Sequence, residues 1–449
     1  MRAVTEPRDF FPSQDAIRIL STRYSTKPVL PLLRALSWLF VPSAHLQSSV
    51  PLLVSPHLAH IRLHFRDNSP EHCLPILQTL TKAAGSLKSV ELTPEFNTEE
   101  MQNAVSALLL SCKPNLLREF CVASPISEEA LLHAAQIPGL RRFSLRSGTP
   151  ALTNPLPLTM FPSLRTLLVS VSGLPTWLEI LRHIQSKRLT QLSVEFSGGD
   201  NNTLPVMWTH LQHSGIHRTL TEFSVCPGAG WISDRVSIAP ILDLRELISL
   251  TIYTNCKRDG CIFCLSDNDI KRLVKAMPKL EILSLGTPCA EQMHDNLTVQ
   301  SLVAISKHCK ALKVLEMHIN CQSIVMSMRE LDTHGYFPAV TPSSRDACPL
   351  RLATFGPCPI PMGLEGGSIV GMVLLQLFPR LYEVRWNPLE VIPPWSSVNT
   401  LIRDHTLVRL NLAKFGECLY AHPAAFGLPY HSQSGPRHRI IHHGFFLRI

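Results

Sequence analysis

The stretch FPSLRTLLVSVSG, residues 161–173, places Leu164, Leu167 and Val169 at the spacing L-x-x-L-x-V, with a proline two residues ahead. Successive side chains of a strand point to opposite faces, so Leu167 and Val169 share one side. A short strand after a turn, buried on one side, accounts for the phrase. The same phrase recurs along the chain. LRALSW holds Leu33, Leu36 and Trp38, LAHIRL holds Leu58, Ile61 and Leu63, and LKSVEL holds Leu87, Val90 and Leu92. Further copies start at Leu117, Leu140, Leu189, Leu220, Leu247, Leu280, Leu312, Leu352, Leu381 and Leu407. The first position is leucine and the fourth is apolar in each. The sixth is apolar too, with Pro357 in the Leu352 copy making that copy the weakest.

Most copies lie about 24 to 33 residues apart, the range of stacked supersecondary units. Helical phrases separate many of them. In SDNDIKRLVKAMPKL, Ile270, Leu273, Val274 and Met277 recur at helical spacing after acidic residues suited to a first turn. Pro278 then ends the helix and releases the chain into the next strand. The same Pro-x-Leu step occurs at Pro31, Pro56, Pro138, Pro162 and Pro379. NTEEMQNAVSALLLSC and SEEALLHAAQI read as helices capped by Asn97 or Thr98 and by Ser127. One helix and one strand cannot bury an apolar face alone, so neighbouring units must stack. The expected fold is an α/β leucine-rich-repeat solenoid, a horseshoe with a parallel concave sheet and outer helices. Residues 1–32 read as an irregular N-terminal cap, 33–412 as the array, and 413–449 as a divergent, disordered tail.

The 449 residues carry a formal net charge of +8, but the basic residues are scattered rather than gathered in one run. That argues against a nucleic-acid footprint. Thirteen cysteines, odd in number and irregularly spaced, point to reduced thiols and a cytoplasmic or nuclear protein. MRAVTEPRDFFPSQ lacks the apolar core of a signal peptide, and VLPLLRALSWLFVP is too short to span a bilayer, so no membrane is expected.

Candidate chemistry is sparse. Cys256, Cys261 and Cys264 in CKRDGCIFCLSD include one C-x-x-C pair. Tetrahedral zinc needs four ligands, and Cys289 and His294 lack the spacing of a second pair. The tail histidines His422, His431, His438, His442 and His443 read as part of a poorly packed end rather than a metal tract. GLEGGSIVGM lacks the G-K-[ST] of a phosphate loop. No catalytic residue, metal ligand or cofactor is assigned.

CIFCLSDNDIKRLVKAMPKLEILSLG resembles the repeat phrase of fungal, especially basidiomycete, F-box-like leucine-rich-repeat proteins. LLVSPHLAHIRLHF, GLRRFSLRSG and ACPLRLATFGPCPI are similar to phrases of that family. The resemblance implies a substrate receptor of a cullin-RING ubiquitin ligase, whose repeats hold the protein to be modified. No L-P-x-E-[IL]-L phrase of an F-box stands before Leu33. Docking on a Skp-type adaptor is therefore not expected. The leading reading is a non-catalytic protein-interaction scaffold. A basic solenoid that binds nucleic acid, and an interaction protein unrelated to ubiquitination, are the alternatives.

If the fourth and sixth positions face the core, the residues beside them line the concave surface. Those residues are Arg62, His64, Arg142, Arg146, Glu195, Tyr253, Glu316, His318, Glu383 and Arg385. Their mixed charges suit a protein ligand better than a uniform polyanion.

Overall fold

The computed structural model describes residues 19–407, apart from segments 42–46, 66–69, 94–97, 146–151, 154–156, 197–202, 228–238, 253–264, 287–296, 325–346, 356–363 and 387–395 and a few shorter breaks. Met1–Ile402 is one compact unit and Arg403–Ile449 a second, described only at its helical residues 403–407. Every labelled strand and helix below lies in the first unit.

Its strands are β1 (Ala35–Val41), β2 (His60–Phe65), β3 (Ser89–Thr93), β4 (Glu119–Val122), β5 (Arg142–Leu145), β6 (Thr166–Val171) and β7 (Gln191–Phe196). They continue as β8 (Glu222–Pro227), β9 (Ser249–Ile252), β10 (Ile282–Leu285), β11 (Val314–Met317), β12 (Leu352–Phe355) and β13 (Glu383–Trp386). The thirteen strands form one parallel sheet in strictly sequential order, not closed into a barrel. The helices between them are α1 (Pro70–Ala83), α2 (Glu99–Ser111), α3 (Glu128–Gln136), α4 (Leu174–His183), α5 (Thr203–His213), α6 (Asp267–Ala276), α7 (Val299–His308) and α8 (Leu364–Leu377). Among the described residues, no helix is long and apolar enough to cross a membrane.

The repeat phrase dictates the core. With its first leucine as position 1, no side chain at positions 1 or 4 is more than 3% exposed in any of the thirteen strand units. Position 6 is buried as well, from Trp38 through Leu145 to Phe355. Helix residues such as Leu77, Val105, Leu131, Trp208, Leu273 and Leu302 complete the same continuous core. Each such side chain contributes about 1.5–3 kcal/mol by leaving water.

Backbone pairing fixes the stacking. The position-2 carbonyl of each unit accepts two N–H groups from the next, at positions 2 and 3. Lys88 O takes Arg118 N at 2.7 Å and Glu119 N at 3.1 Å, and Arg118 O takes Arg141 N and Arg142 N at the same distances. The pattern runs unbroken from Arg34 O to Arg351 O. Side chains add to it one residue earlier, at the position-1 carbonyl. Ser55 Oγ donates to Leu33 O at 2.7 Å, Ser86 Oγ to Leu58 O at 2.8 Å, and Thr219 Oγ1 to Leu189 O at 2.7 Å.

Local signals at the helix ends act as the sequence indicates. Thr98 caps α2 and Ser127 caps α3, each accepting an N–H of the first turn. Ser266 and Asp269 form a reciprocal capping box on α6. Asp267 then ties two units together, since its carboxylate accepts from Thr298 N at 2.9 Å, Thr298 Oγ1 at 2.6 Å and Ser301 Oγ on α7. Phe161, in the stretch that sets the pattern, has φ +52° although it is not glycine. Its N–H bonds Ala135 O at 2.7 Å and its ring lies 5.2 Å from that of Phe143, which holds it in this otherwise unfavourable region.

Two expected copies are corrected. The copy placed at Leu352 begins at Leu350, because Ala353 pairs with Leu315 and Phe355 with Met317. Leu350, Ala353 and Phe355 are buried, whereas Leu352 is half-buried at position 3. Leu407 is 53% exposed at the end of a helical run, residues 396–407, so it is not a buried first leucine. The rest of that phrase lies outside the described residues.

Two predictions follow from the core. Leu350→Ala should lower stability by about 2–5 kcal/mol, and Leu352→Ala by less than about 1 kcal/mol, as read from urea unfolding. Equal losses would show that the register of β12 is wrong. The second concerns thiols. Burial pushes Cys112 and Cys309 up to about 12 and Cys348 up to about 11. These thiols ionise in the unfolded chain first, so the folded state holds more protons above a pH of about 9. Stability should therefore be full below that pH and fall as pH rises through the folded values. Mass-spectrometric alkylation should leave all three unmodified until the array opens.

Candidate functional site

The side of the sheet away from the helices is the one surface shared by every unit. Its middle row is position 5, and pairing places it in register across the sheet. It runs Ser37, Arg62, Glu91, Cys121, Ser144, Leu168 and Ser193 over β1 to β7. It continues with Ser224, Thr251, Ser284, Glu316, Thr354 and Arg385 over β8 to β13. Strands about 4.8 Å apart make this row about 50 Å long from β2 to β13, measured along the sheet.

The expected surface residues fall into separate groups on this face. Arg62 and His64 meet Glu91 of the next strand, with Arg62–Glu91 at 3.2 Å and His64–Glu91 at 3.5 Å. Arg62 Nε also donates to His64 Nε2 at 3.2 Å, and a nitrogen that accepts there cannot donate to Glu91. Arg142 sits at position 3 of β5 between Glu119 and Thr166, half-buried. Its Nε is buried with no hydrogen-bond partner among the described residues. Glu195 is exposed beside Cys226, whose thiol is raised first by burial and then by the Glu195 charge. Near the far edge, Glu316 accepts from Ser284 Oγ at 2.7 Å. Glu383 pairs with Arg385 at 2.7 Å, and this bond and charge raise the Arg385 guanidinium still further. Arg146 and Tyr253 lie outside the described residues, as do Cys256, Cys261 and Cys264.

His318 is a correction. It is only 4% exposed and so is no part of an accessible surface. β11 ends at Met317, and beyond the last paired residue the alternation of faces no longer governs where a side chain points. The open face is also less uniform than alternation alone implies. Cys121, Ser144 and Ser284 are buried at position 5, whereas Ser37, Ser193 and Ser224 are half-buried there. Among the described residues, no group of three or more His, Cys, Asp or Glu side chains could hold a metal ion.

One feature escapes a search for charge runs. Position 2 is basic in four successive units, as Lys88, Arg118, Arg141 and Arg165. The bifurcated carbonyl ladder makes them immediate neighbours, so four cations span about 14 Å. None of them forms an ion pair with a described residue, whereas Glu281 and Lys313 at the same position of two later units pair at 2.6 Å. Arg118 is half-buried because its guanidinium lies over Gly139, where a Cβ would come within 1.3 Å of Nη1. Each cation lies in a separate phrase, LKSVEL, LREFCV, LRRFSL and LRTLLV, with no charge run joining them. Reading position 2 down the copies is the signal that finds them.

No protein-family model matches the chain, and no curated protein is significantly similar to it.

Proposed function

We propose that the chain is a non-catalytic protein-interaction scaffold of leucine-rich-repeat architecture, whose open sheet face holds a partner protein through an acidic segment. The observation that carries this reading is the stripe of Lys88, Arg118, Arg141 and Arg165, without an ion pair among the described residues and in register beside the half-buried Arg142. Like charges on adjacent strands are unfavourable, and a bound carboxylate-rich segment relieves them. The length of the open face supports a macromolecular partner, since residues spread over about 50 Å cannot close on a small substrate. Acidic residues elsewhere on the face, at Glu91, Glu195 and Glu316, give it charges of both signs together with the basic stripe, which favours a protein over a uniform polyanion. On this reading the chain is akin to the substrate-holding part of an F-box ubiquitin-ligase receptor, and adaptor docking is no part of the proposal.

The test starts from a partner captured by affinity purification and then titrated in purified form. Arg141→Glu with Arg165→Glu should weaken binding by about tenfold or more, chiefly through slower association at low salt. Gly139→Ala should shift the Arg118 guanidinium and give a smaller loss at unchanged melting temperature, because the tip of a long side chain can move. Lys82→Glu on α1 should leave binding as it was. Equal loss from Lys82→Glu, or none from the double reversal, would remove the sheet face from consideration.

A further inference from the structure

On the helix side, α6 and α7 lie next to each other with a groove of about 460 Å³ between them. That volume is in the range of small-molecule sites. Asn268, Lys271 and Lys275 line it from α6, and Gln300, Val303 and Lys307 from α7. The spacing explains the convergence: residues 268, 271 and 275 share one helix face, and 300, 303 and 307 share another. Lys271, Lys275 and Lys307 are exposed and form no ion pair with a described residue. Asp267 closes one end of the groove, but its carboxylate is already engaged by Thr298 and Ser301.

His308, also at the groove, reports the same convergence. Burial lowers its basicity, and the charges of Lys275, Lys307, Lys271 and Lys310 lower it further. Four ammonium groups thus bear on one imidazole. Lys275 and Lys307 lie in the last turns of their helices, where the helix dipole favours a cation, but Lys271 lies mid-helix. The dipole does not account for two helices turning their lysines toward one groove.

We propose that this groove binds a small anion carrying two or more phosphate groups. Ammonium groups serve as point charges for phosphate oxygens, and the lining holds no arginine to favour planar carboxylate recognition. The amides of Asn268 and Gln300 supply directed donors, and Val303 gives an apolar wall. The site is separate from the sheet face and does not depend on the partner-binding reading. The same chemistry occurs in a soluble polyphosphate and in the headgroup of a phosphorylated inositol lipid.

The full chain should be titrated calorimetrically with tripolyphosphate and with inorganic phosphate, and by flotation with phosphatidylcholine vesicles with and without phosphatidylinositol bisphosphate. Tripolyphosphate should bind at one site per chain and more tightly than phosphate, and it should shift the His308 ring resonances. Lys271→Gln, Lys275→Gln and Lys307→Gln should each weaken it by about tenfold, the size of one lost charge-assisted hydrogen bond. Lys82→Gln should not, and circular dichroism should show all four variants folded. Flotation with the phosphoinositide vesicles, competed by tripolyphosphate, assigns the lipid headgroup. Binding of tripolyphosphate without flotation assigns a soluble ligand. No saturable binding of either probe, or the same loss from Lys82→Gln, overturns the proposal.

Discussion

The position-2 carbonyl of each unit accepts two N–H groups from the next unit, and the rest of the sheet depends on that contact. It lies just before each strand, between the buried leucine of position 1 and the first paired residue. By fixing two consecutive amides it sets the register of the strand that follows. Positions 4 and 6 are then obliged to point into the core and positions 3 and 5 out of it. The ladder needs only backbone atoms, although the hydroxyls of Thr190 and Thr221 also donate to the preceding position-2 carbonyls, at 3.2 and 3.1 Å, so it demands no particular side chain at position 2. That freedom is why the position can hold Lys88, Arg118, Arg141 and Arg165 in four units, Thr190 and Thr221 in two others, and an ion pair between Glu281 and Lys313 further on.

Burial acts at the neighbouring positions in the opposite sense. A position-1 side chain is enclosed by its own helix and by the units on both sides, so leucine recurs there from Leu33 to Leu381. Its carbonyl, facing the same crowded interior, needs a donor. Ser55, Ser86, Ser186 and Thr219 each supply one, and Cys348 approaches Leu312 O in the same way at 3.8 Å. An unmet carbonyl at such a place costs about 1–3 kcal/mol, which favours a small polar residue just ahead of the leucine.

What the sequence reveals follows from which constraints are local. Leucine spacing, helix periodicity and the caps Thr98 and Ser127 act within a few residues, and all are legible. The slip at Leu352 has a plain cause. PLRLATF offers leucines at 350 and 352, and a shift of two residues preserves the alternation of faces. Only the opposition of Ala353 to Leu315 on the next strand decides between them. His318 departs from expectation for a related reason, since alternation does not hold one residue past the end of β11. The caps are visible in the sequence, but the bridge from Asp267 to Thr298 and Ser301 joins two units and is not.

The same distinction bears on charge. A chain of this composition, with basic residues spread along its length, reads as evenly solvated. Stacking alters that by bringing together residues that share a position in different units. It gathers Lys88, Arg118, Arg141 and Arg165 at the margin of the sheet, and Lys271, Lys275 and Lys307 between two helices. The two clusters differ in form. The first is a line whose pitch is the strand spacing, suited to an extended acidic segment crossing the strands. The second is a pocket walled by two helices, suited to a compact anion. In a repeat array, charge segregation is therefore a property of register and not of sequence runs. Functional surfaces have to be sought down the columns of the aligned units, where the backbone ladder leaves the side chains free.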